Sequence, residues 1–202
     1  SREGIVESVR YALRKLGRPI PGEDTLLRFI GPPLEDSFQR YCGLTEAGAE
    51  EAVRLYRERY NPIGVYENLP APGLADYCRK WKAEGCRLAL ASSKPEHLCE
   101  KVCERFGFAE SLEVIAGSQP GAGMSKADVI RSCMARMGLT EAEKARVLMV
   151  GDRKFDVEGA AECGLPCVGV EFFGYAEPGE LEAAGAVAVV KTAEELDAFL
   201  RR

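Results

Sequence analysis

Apolar residues recur at helical spacing through the first third of the chain. The first set ends at Gly17, a residue typical of helix ends, and consists of Ile5, Val6, Val9, Leu13 and Leu16. A short helix over 26–30, a helix over 34–41 and a long amphipathic helix over 45–60 follow. Residues 1–70 are therefore predicted to form an all-helical domain.

From residue 71 onward, strand and helix patterns alternate. Five apolar segments have the length of buried strands, at residues 87–91, 112–116, 147–150, 166–170 and 187–190. Strands that are apolar almost throughout and alternate with helices indicate a parallel sheet covered on both faces. We predict a doubly wound α/β domain over 71–202, joined to the helical domain by a proline-containing linker over 66–72.

The helices between these strands have recognisable starts. A helix after the first strand is predicted to begin at Lys94-Pro95, because proline favours the first turn of a helix. Further helices are expected at 126–137, 156–163 and 178–184, with capping boxes at Thr140 with Glu143 and at Thr192 with Glu195.

The overall composition is that of a globular protein, with 202 residues of which 46% are hydrophobic. The formal net charge of −5 opposes binding to nucleic acid through charge alone. Apolar runs such as 186–190 fall far short of the roughly 18 residues that a membrane span needs, and no signal segment opens the chain. We expect a cytoplasmic monomer or homodimer that binds a small molecule, with no nucleic-acid or membrane partner.

The eight cysteines are too few for a disulfide scaffold, so we expect reduced thiols. Cys99, Cys103, Cys163 and Cys167 can be imagined as four zinc ligands. Their spacing favours burial as small apolar residues instead, because structural zinc ligands usually come in close pairs on turns. His97, the single histidine, is predicted to lie solvated in the first turn of a helix.

Polar side chains follow the strands at the edge where open parallel sheets bind ligands. Ser92-Ser93-Lys94-Pro95 comes after the first predicted strand and leads into a helix. Hydroxyls and free N–H groups at a helix start form a natural anion site. Capping of the helix by Ser92 or Ser93 is the alternative interpretation.

Two carboxylates stand four residues apart after the third predicted strand, at Asp152 and Asp156. Mg²⁺ prefers oxygen ligands and usually takes one or two carboxylates with water and phosphate, so the pair is a candidate metal site. Asp156 can instead be an N-cap. Ser125-Lys126 opens another helix, where a lysine opposes the helix dipole unless a phosphate or an aspartate offsets its charge. These residues together describe a magnesium-assisted phosphate site.

The same segments resemble the second, third and fourth motifs of haloacid dehalogenase-type phosphatases, above all the phosphoglycolate phosphatase-like branch. The segments that carry the resemblance are 88–95, Lys126 with 127–130, and 150–157. Residues 3–5, 31–34, 37–38 and 56–57 are similar to the helical cap of that branch. The resemblance implies a Rossmann-like core with a helical cap, Mg²⁺, and hydrolysis of small phosphate monoesters through an aspartyl-phosphate.

One family motif is absent from the 202 residues. The first motif, an apolar strand ending in D-x-D-G-T, supplies the nucleophilic and the acid/base aspartates in the family, and no such segment occurs here. In the family this strand lies between the strands that end at Ser92 and Asp152. Without it two strand edges would lose their backbone partners. We therefore expect the native polypeptide to continue upstream of Ser1, with the strand and nucleophile in that part.

The resemblance assigns a role to each remaining residue. Ser92 and Ser93 bind phosphate oxygens, Lys126 binds and neutralises the phosphoryl group, and Asp152 ligates Mg²⁺. Asp156 either completes the metal shell or orients Lys126. Phosphoglycolate-type and nucleotide-type substrates stay open. So do two other functions on this scaffold, a non-catalytic phosphate-binding relative and a phosphotransferase or phosphomutase.

Overall fold

The computed structural model describes residues 2–119, 123–172 and 174–201. The chain divides into two compact units, Ser1–Leu69 and Pro70–Arg202. The boundary predicted from the sequence, between residues 70 and 71, lies one residue further along the chain. No helix among the described residues has both the length and the apolar character that crossing a membrane would require.

The first unit contains helices joined by loops, and no strand, among its described residues. Its helices are α1 (Arg2–Lys15), α2 (Glu23–Leu27), α3 (Leu34–Cys42) and α4 (Glu46–Tyr60), followed by a 3₁₀ turn at Gly64–Tyr66. Thr45 caps α4 by accepting a hydrogen bond from the Gly48 N–H. The core of the unit contains Phe29 and Phe38, whose rings meet edge to face at 5.0 Å.

Helix α1 packs against the 3₁₀ turn at a contact that only glycine allows. A Cβ on Gly4 would lie 2.0 Å from the Gly64 carbonyl oxygen, and a Cβ on Gly64 would lie 2.8 Å from the Tyr60 ring. The Gly4 N–H donates to the Glu67 carbonyl at 3.4 Å. The start of α1 and the end of the unit are therefore neighbours.

Gly4→Ala is expected to lower the free energy of unfolding by about 2 kcal/mol, because the new methyl group must displace the backbone of the 3₁₀ turn. Urea denaturation followed by circular dichroism measures this loss. Gly22→Ala is the matched control, since a Cβ there meets nothing within 4 Å. Equal stability of the two variants would contradict the glycine contact.

The second unit alternates helices and parallel strands. The elements in chain order are α5 (Leu74–Ala83), β1 (Ala89–Pro95), α6 (Glu96–Arg105), β2 (Val114–Ser118), α7 (Lys126–Arg136), β3 (Met149–Gly151), α8 (Lys154–Glu162), β4 (Cys167–Val170), α9 (Glu180–Ala183), β5 (Ala188–Val190) and α10 (Ala193–Leu200). Short 3₁₀ turns lie at Ala109–Ser111 and Glu141–Arg146. The predicted α/β class with parallel strands is confirmed.

The five strands form two separate sheets among the described residues. β1 pairs with β2, and β4 lies between β3 and β5. Both sheets share their covering helices: Ala91 and Met149 pack against one cluster built on α7, α8 and α9, and Leu88 and Leu148 pack against another that contains Trp81 of α5. The two sheets therefore lie side by side in one layer.

Burial differs between the strands in a way that follows from this arrangement. β4, which has a strand on each side, is buried at all four residues. β1 has no fully buried residue, and in β3 only Gly151 is buried while Val150 is 38% exposed. β1 and β3, each of which pairs on one edge only within the described part of the chain, are thus less buried than β4.

Several helix starts differ from the prediction. Pro95 is the N-cap of α6 rather than its first residue, and β1 extends to Pro95 instead of ending at Ala91. Helix α8 begins at Lys154, which makes Asp156 its third residue and not an N-cap.

The Thr140 capping box is confirmed, but it opens a 3₁₀ turn. At Thr192 only half the box forms, because the Glu195 carboxylate accepts from the Lys191 N–H.

The cysteines are free, and all four that were considered as zinc ligands are buried, which confirms the apolar interpretation. Burial raises the pKa of Cys103 to about 11 and that of Cys167 to about 12, so these thiols stay neutral. Among the described residues, no three His, Cys, Asp or Glu side chains converge in a metal-binding group. His97 is exposed in the first turn of α6, as predicted.

Candidate active site at the strand ends

The largely buried side chain of Lys126 links Ala91 of β1 to Asp156 of α8, the helix that follows β3. The Lys126 ammonium donates to the Ala91 carbonyl at 2.8 Å and pairs with Asp156 Oδ1 at 2.5 Å. Its side chain is 13% exposed and that of Asp156 is 11% exposed. Three of the predicted site segments, after β1, at the start of α7 and after β3, therefore meet at one place.

Helix starts hold Lys126 and Asp156 in position. Ser125 is the N-cap of α7 and forms a capping box with Asp128, which fixes the helix at the residue before Lys126. Asp156 Oδ2 accepts hydrogen bonds from the Asp152 and Arg153 N–H groups, both at 3.1 Å. Both carboxylate oxygens of Asp156 consequently have partners within the protein.

Two glycines make room for these side chains. A Cβ on Gly151 would lie 2.1 Å from the Asp156 Cβ, and a Cβ on Gly159 would lie 2.8 Å from the Lys126 Cγ. The last residue of β3 must therefore be glycine for α8 to bring Asp156 under the turn. Gly159 gives the Lys126 stem the same close approach to α8.

Among the described residues Asp152 forms no ion pair, because Lys126 pairs with Asp156. The charges of Lys126 and Arg153 lie near Asp152 and favour its ionised form. Burial, and next the negative charge of Asp156, raise the pKa of Asp152 to about 6. A half-buried carboxylate of this kind is stabilised by a nearby cation. One carboxylate at a phosphate site fits the way in which Mg²⁺ usually binds, with water and phosphate completing its shell. The donor set thus fits Mg²⁺ through Asp152, while Asp156 is already occupied by Lys126 and the backbone.

The serine segment lies within the second half of β1, whereas the prediction placed it after the strand. The Ser92 hydroxyl accepts from the Lys94 N–H at 3.2 Å, so it turns the chain towards α6. Ser92 is half-buried and Ser93 is exposed. Ser92 and Lys126 share the C-terminal end of β1, because the Ala91 carbonyl that binds Lys126 immediately precedes Ser92.

Two further residues, which the sequence patterns did not indicate, adjoin the site. Glu180, the first residue of α9, pairs with Arg153 at 2.8 Å, and its side chain is 8% exposed. Glu96, at the start of α6, accepts from the Gly117 N–H at 3.1 Å and from Arg136 at 2.7 Å, which ties the ends of β1 and β2 together.

Known proteins resemble this chain over most of its length. A family model described as "Haloacid dehalogenase-like hydrolase" matches residues 1–170. A 5′-nucleotidase of Pseudomonas aeruginosa is 38% identical over 183 residues, which cover 90% of this chain and 81% of that protein. A predicted phosphatase of Clostridium acetobutylicum has a solved structure that superposes with a TM-score of 0.89 at 34% identity, covering 99% of this chain and 92% of the other.

A relative with a different name is equally similar. The tyrosine-protein kinase PtkA of Mycobacterium tuberculosis is 39% identical over 170 residues, which cover 83% of this chain but only 56% of the kinase. The resemblance and the α/β fold predicted from the sequence are confirmed by these matches together. The chain belongs to the haloacid dehalogenase-like hydrolase family.

Proposed function

We propose that this protein is a Mg²⁺-dependent phosphatase that hydrolyses small phosphate monoesters of the phosphoglycolate or nucleotide type. The observation that supports this most directly is the junction of Lys126, Asp156 and Asp152 beside the Ser92 loop, at the open strand ends. A fixed cation, a hydroxyl and a carboxylate that can hold Mg²⁺, all at one sheet edge, suit the binding of a phosphate dianion.

Each residue has a separate task in this proposal. The Ser92 hydroxyl and neighbouring N–H groups, with Ser93, hold phosphate oxygens. Lys126 faces the phosphoryl group and offsets its charge. Asp152 would hold Mg²⁺, whose charge would offset the repulsion between the two anions that must approach one another. Asp156 acts by orienting Lys126 and does not bind the metal, because its two oxygens are bound to Lys126 and to backbone N–H groups.

The nucleophile in this proposal is an aspartate on a parallel strand between β1 and β3. Three observations support such a strand: the facing edges of β1 and β3 pair with nothing among the described residues, both sheets share their helices, and Val150 is accessible. The strand would end beside Lys126. There an aspartate attacks phosphorus and forms the aspartyl-phosphate while a second aspartate protonates the leaving oxygen.

A comparison of two chain lengths tests the proposal. The extended chain, meaning these 202 residues preceded by the segment encoded immediately upstream, is expected to hydrolyse p-nitrophenyl phosphate with Mg²⁺. The 202 residues alone are expected to release no phosphate above background. Phosphate release from phosphoglycolate and from nucleoside monophosphates then ranks the substrate classes.

An extended chain that binds phosphate but releases none from any of these esters would contradict the phosphatase and support the non-catalytic alternative. An upstream segment without an aspartate at a strand end would contradict the proposed nucleophile.

Phosphoryl transfer to an acceptor other than water is the second candidate function. The 39% identity with the kinase PtkA, as high as that with the nucleotidase, is the observation that favours it. Product analysis separates the two functions: transfer leaves the phosphate on a tyrosine peptide or a sugar phosphate, whereas hydrolysis releases inorganic phosphate.

A further inference from the structure

The ion pair between Arg153 and Glu180 has no task in the proposed reaction. Arg153 Nε lies 2.8 Å and one terminal nitrogen 3.4 Å from the two Glu180 carboxylate oxygens. The side chains are 17% and 8% exposed. Arg153 directly follows Asp152, whereas Glu180 comes from α9, beyond β4.

Glu180 also binds backbone on both sides of the pair. Its Oε1 accepts from the Lys154 N–H at 2.9 Å, and its Oε2 accepts from the Glu177 N–H at 3.2 Å. Asp156 accepts from the Asp152 and Arg153 N–H groups. Three successive N–H groups of the turn are thus held by two carboxylates, one within α8 and one from α9.

The energetics of buried ion pairs indicate that this pair orients the turn more than it stabilises the fold. Removing two charges from water costs about as much as their attraction returns, so an apolar pair of similar volume would hold the fold equally well. A bonded guanidinium and carboxylate fix direction instead, because both groups have defined hydrogen-bond geometry. The direction fixed here is that of the turn from which the Asp152 side chain projects.

We propose that Glu180 and Arg153 are positioning residues that hold the Asp152 carboxylate in its Mg²⁺-binding orientation. This inference rests on the proposed function, since it assigns the metal to Asp152. Glu180 acts on the metal through Arg153 and the Lys154 N–H, and it does not touch substrate. Loss of such an outer contact typically weakens metal binding by about 10-fold to 100-fold.

The test uses Glu180→Gln, Arg153→Met and the double variant in the extended chain. Glu182→Gln is the matched control, because Glu182 lies exposed on the same short helix.

Two readouts are taken: the Mg²⁺ concentration for half-maximal hydrolysis of p-nitrophenyl phosphate, and the shift in melting temperature that Mg²⁺ alone produces. Glu180→Gln is expected to raise the half-maximal concentration about 10-fold, to reduce the Mg²⁺-induced shift, and to change kcat at saturating Mg²⁺ less than about 3-fold. The double variant is expected to resemble either single variant, because the two residues act as one unit.

An unchanged Mg²⁺ requirement in Glu180→Gln, with only a lower melting temperature, would overturn the positioning role and leave a structural one. Additive effects in the double variant would also overturn it. A parent chain without Mg²⁺-dependent hydrolysis would instead refute the proposed function, so the two failures are distinguishable.

Discussion

Asp152→Asn is expected to reduce kcat/KM for p-nitrophenyl phosphate by about 10³-fold in the extended chain, which corresponds to about 4 kcal/mol of transition-state stabilisation. The physical reason is that an amide has nearly the shape of the carboxylate but no charge to hold Mg²⁺. The loss is expected to persist at high Mg²⁺ concentration, because the ligand itself has changed. Hydrolysis measured over a range of substrate and Mg²⁺ concentrations gives both quantities.

The Asp152→Asn variant is expected to lose activity without losing stability. The pKa of Asp152, raised to about 6, means that the ionised carboxylate is less favourable in the fold than in the unfolded chain. The contribution of Asp152 to the free energy of unfolding is therefore fully present below the unfolded pKa near 4. It is lost as the pH rises through the folded pKa of about 6. Asparagine removes this penalty, so without Mg²⁺ at pH 7 the variant should melt no lower than the parent.

Glu158→Gln on the exposed face of α8 is the matched control for this experiment, with activity and melting temperature expected near those of the parent. Full activity in Asp152→Asn would remove Asp152 from the metal site. A lower melting temperature would show that the carboxylate stabilises the fold and would make the kinetic loss ambiguous in origin.

The strands were predictable because their buried segments are apolar almost throughout, and the polar end of β1 was not. Ser92 and Ser93 interrupt the apolar run, so the pattern predicts a strand that ends at Ala91. In the structure the backbone continues to pair with β2, with Ser92 opposite Gly117 and Pro95 opposite Ser118 across an irregularity. Backbone pairing does not depend on side-chain polarity. Strand residues that face a site can therefore be polar, although buried strands are otherwise apolar almost throughout.

The site was predictable in its parts and not in its connections. Short motifs indicated Ser92, Lys126 and Asp152, but the choice between a metal ligand and a lysine partner for Asp156 required the positions of its two oxygens. Gly151 and Gly159 were not recognised because a glycine needed for a close approach looks in the sequence like any other glycine. Glu180 gave no signal, since its partner Arg153 lies 27 residues away and no periodicity links them.

Lys126→Met is expected to abolish measurable hydrolysis and to destabilise the extended chain by about 3 kcal/mol. Methionine keeps the apolar stem that packs beside Gly159, so the change removes the ammonium alone. The buried Asp156 carboxylate then loses its cation at 2.5 Å, and only two backbone N–H groups compensate its charge. Urea denaturation measures the stability and p-nitrophenyl phosphate the activity.

The double variant Lys126→Met with Asp156→Asn separates these two effects. With both charges gone no unpaired ion is buried, and most of the lost stability is expected to return. Activity should stay absent, because the phosphoryl group has no cation from α7 in either variant. Lys101→Met, at an exposed position of α6, is the control for removal of a lysine. Recovery of hydrolysis in the double variant would mean that Lys126 serves only to neutralise Asp156. If stability stayed low while the control was unaffected, the cost would instead come from packing around the Lys126 stem.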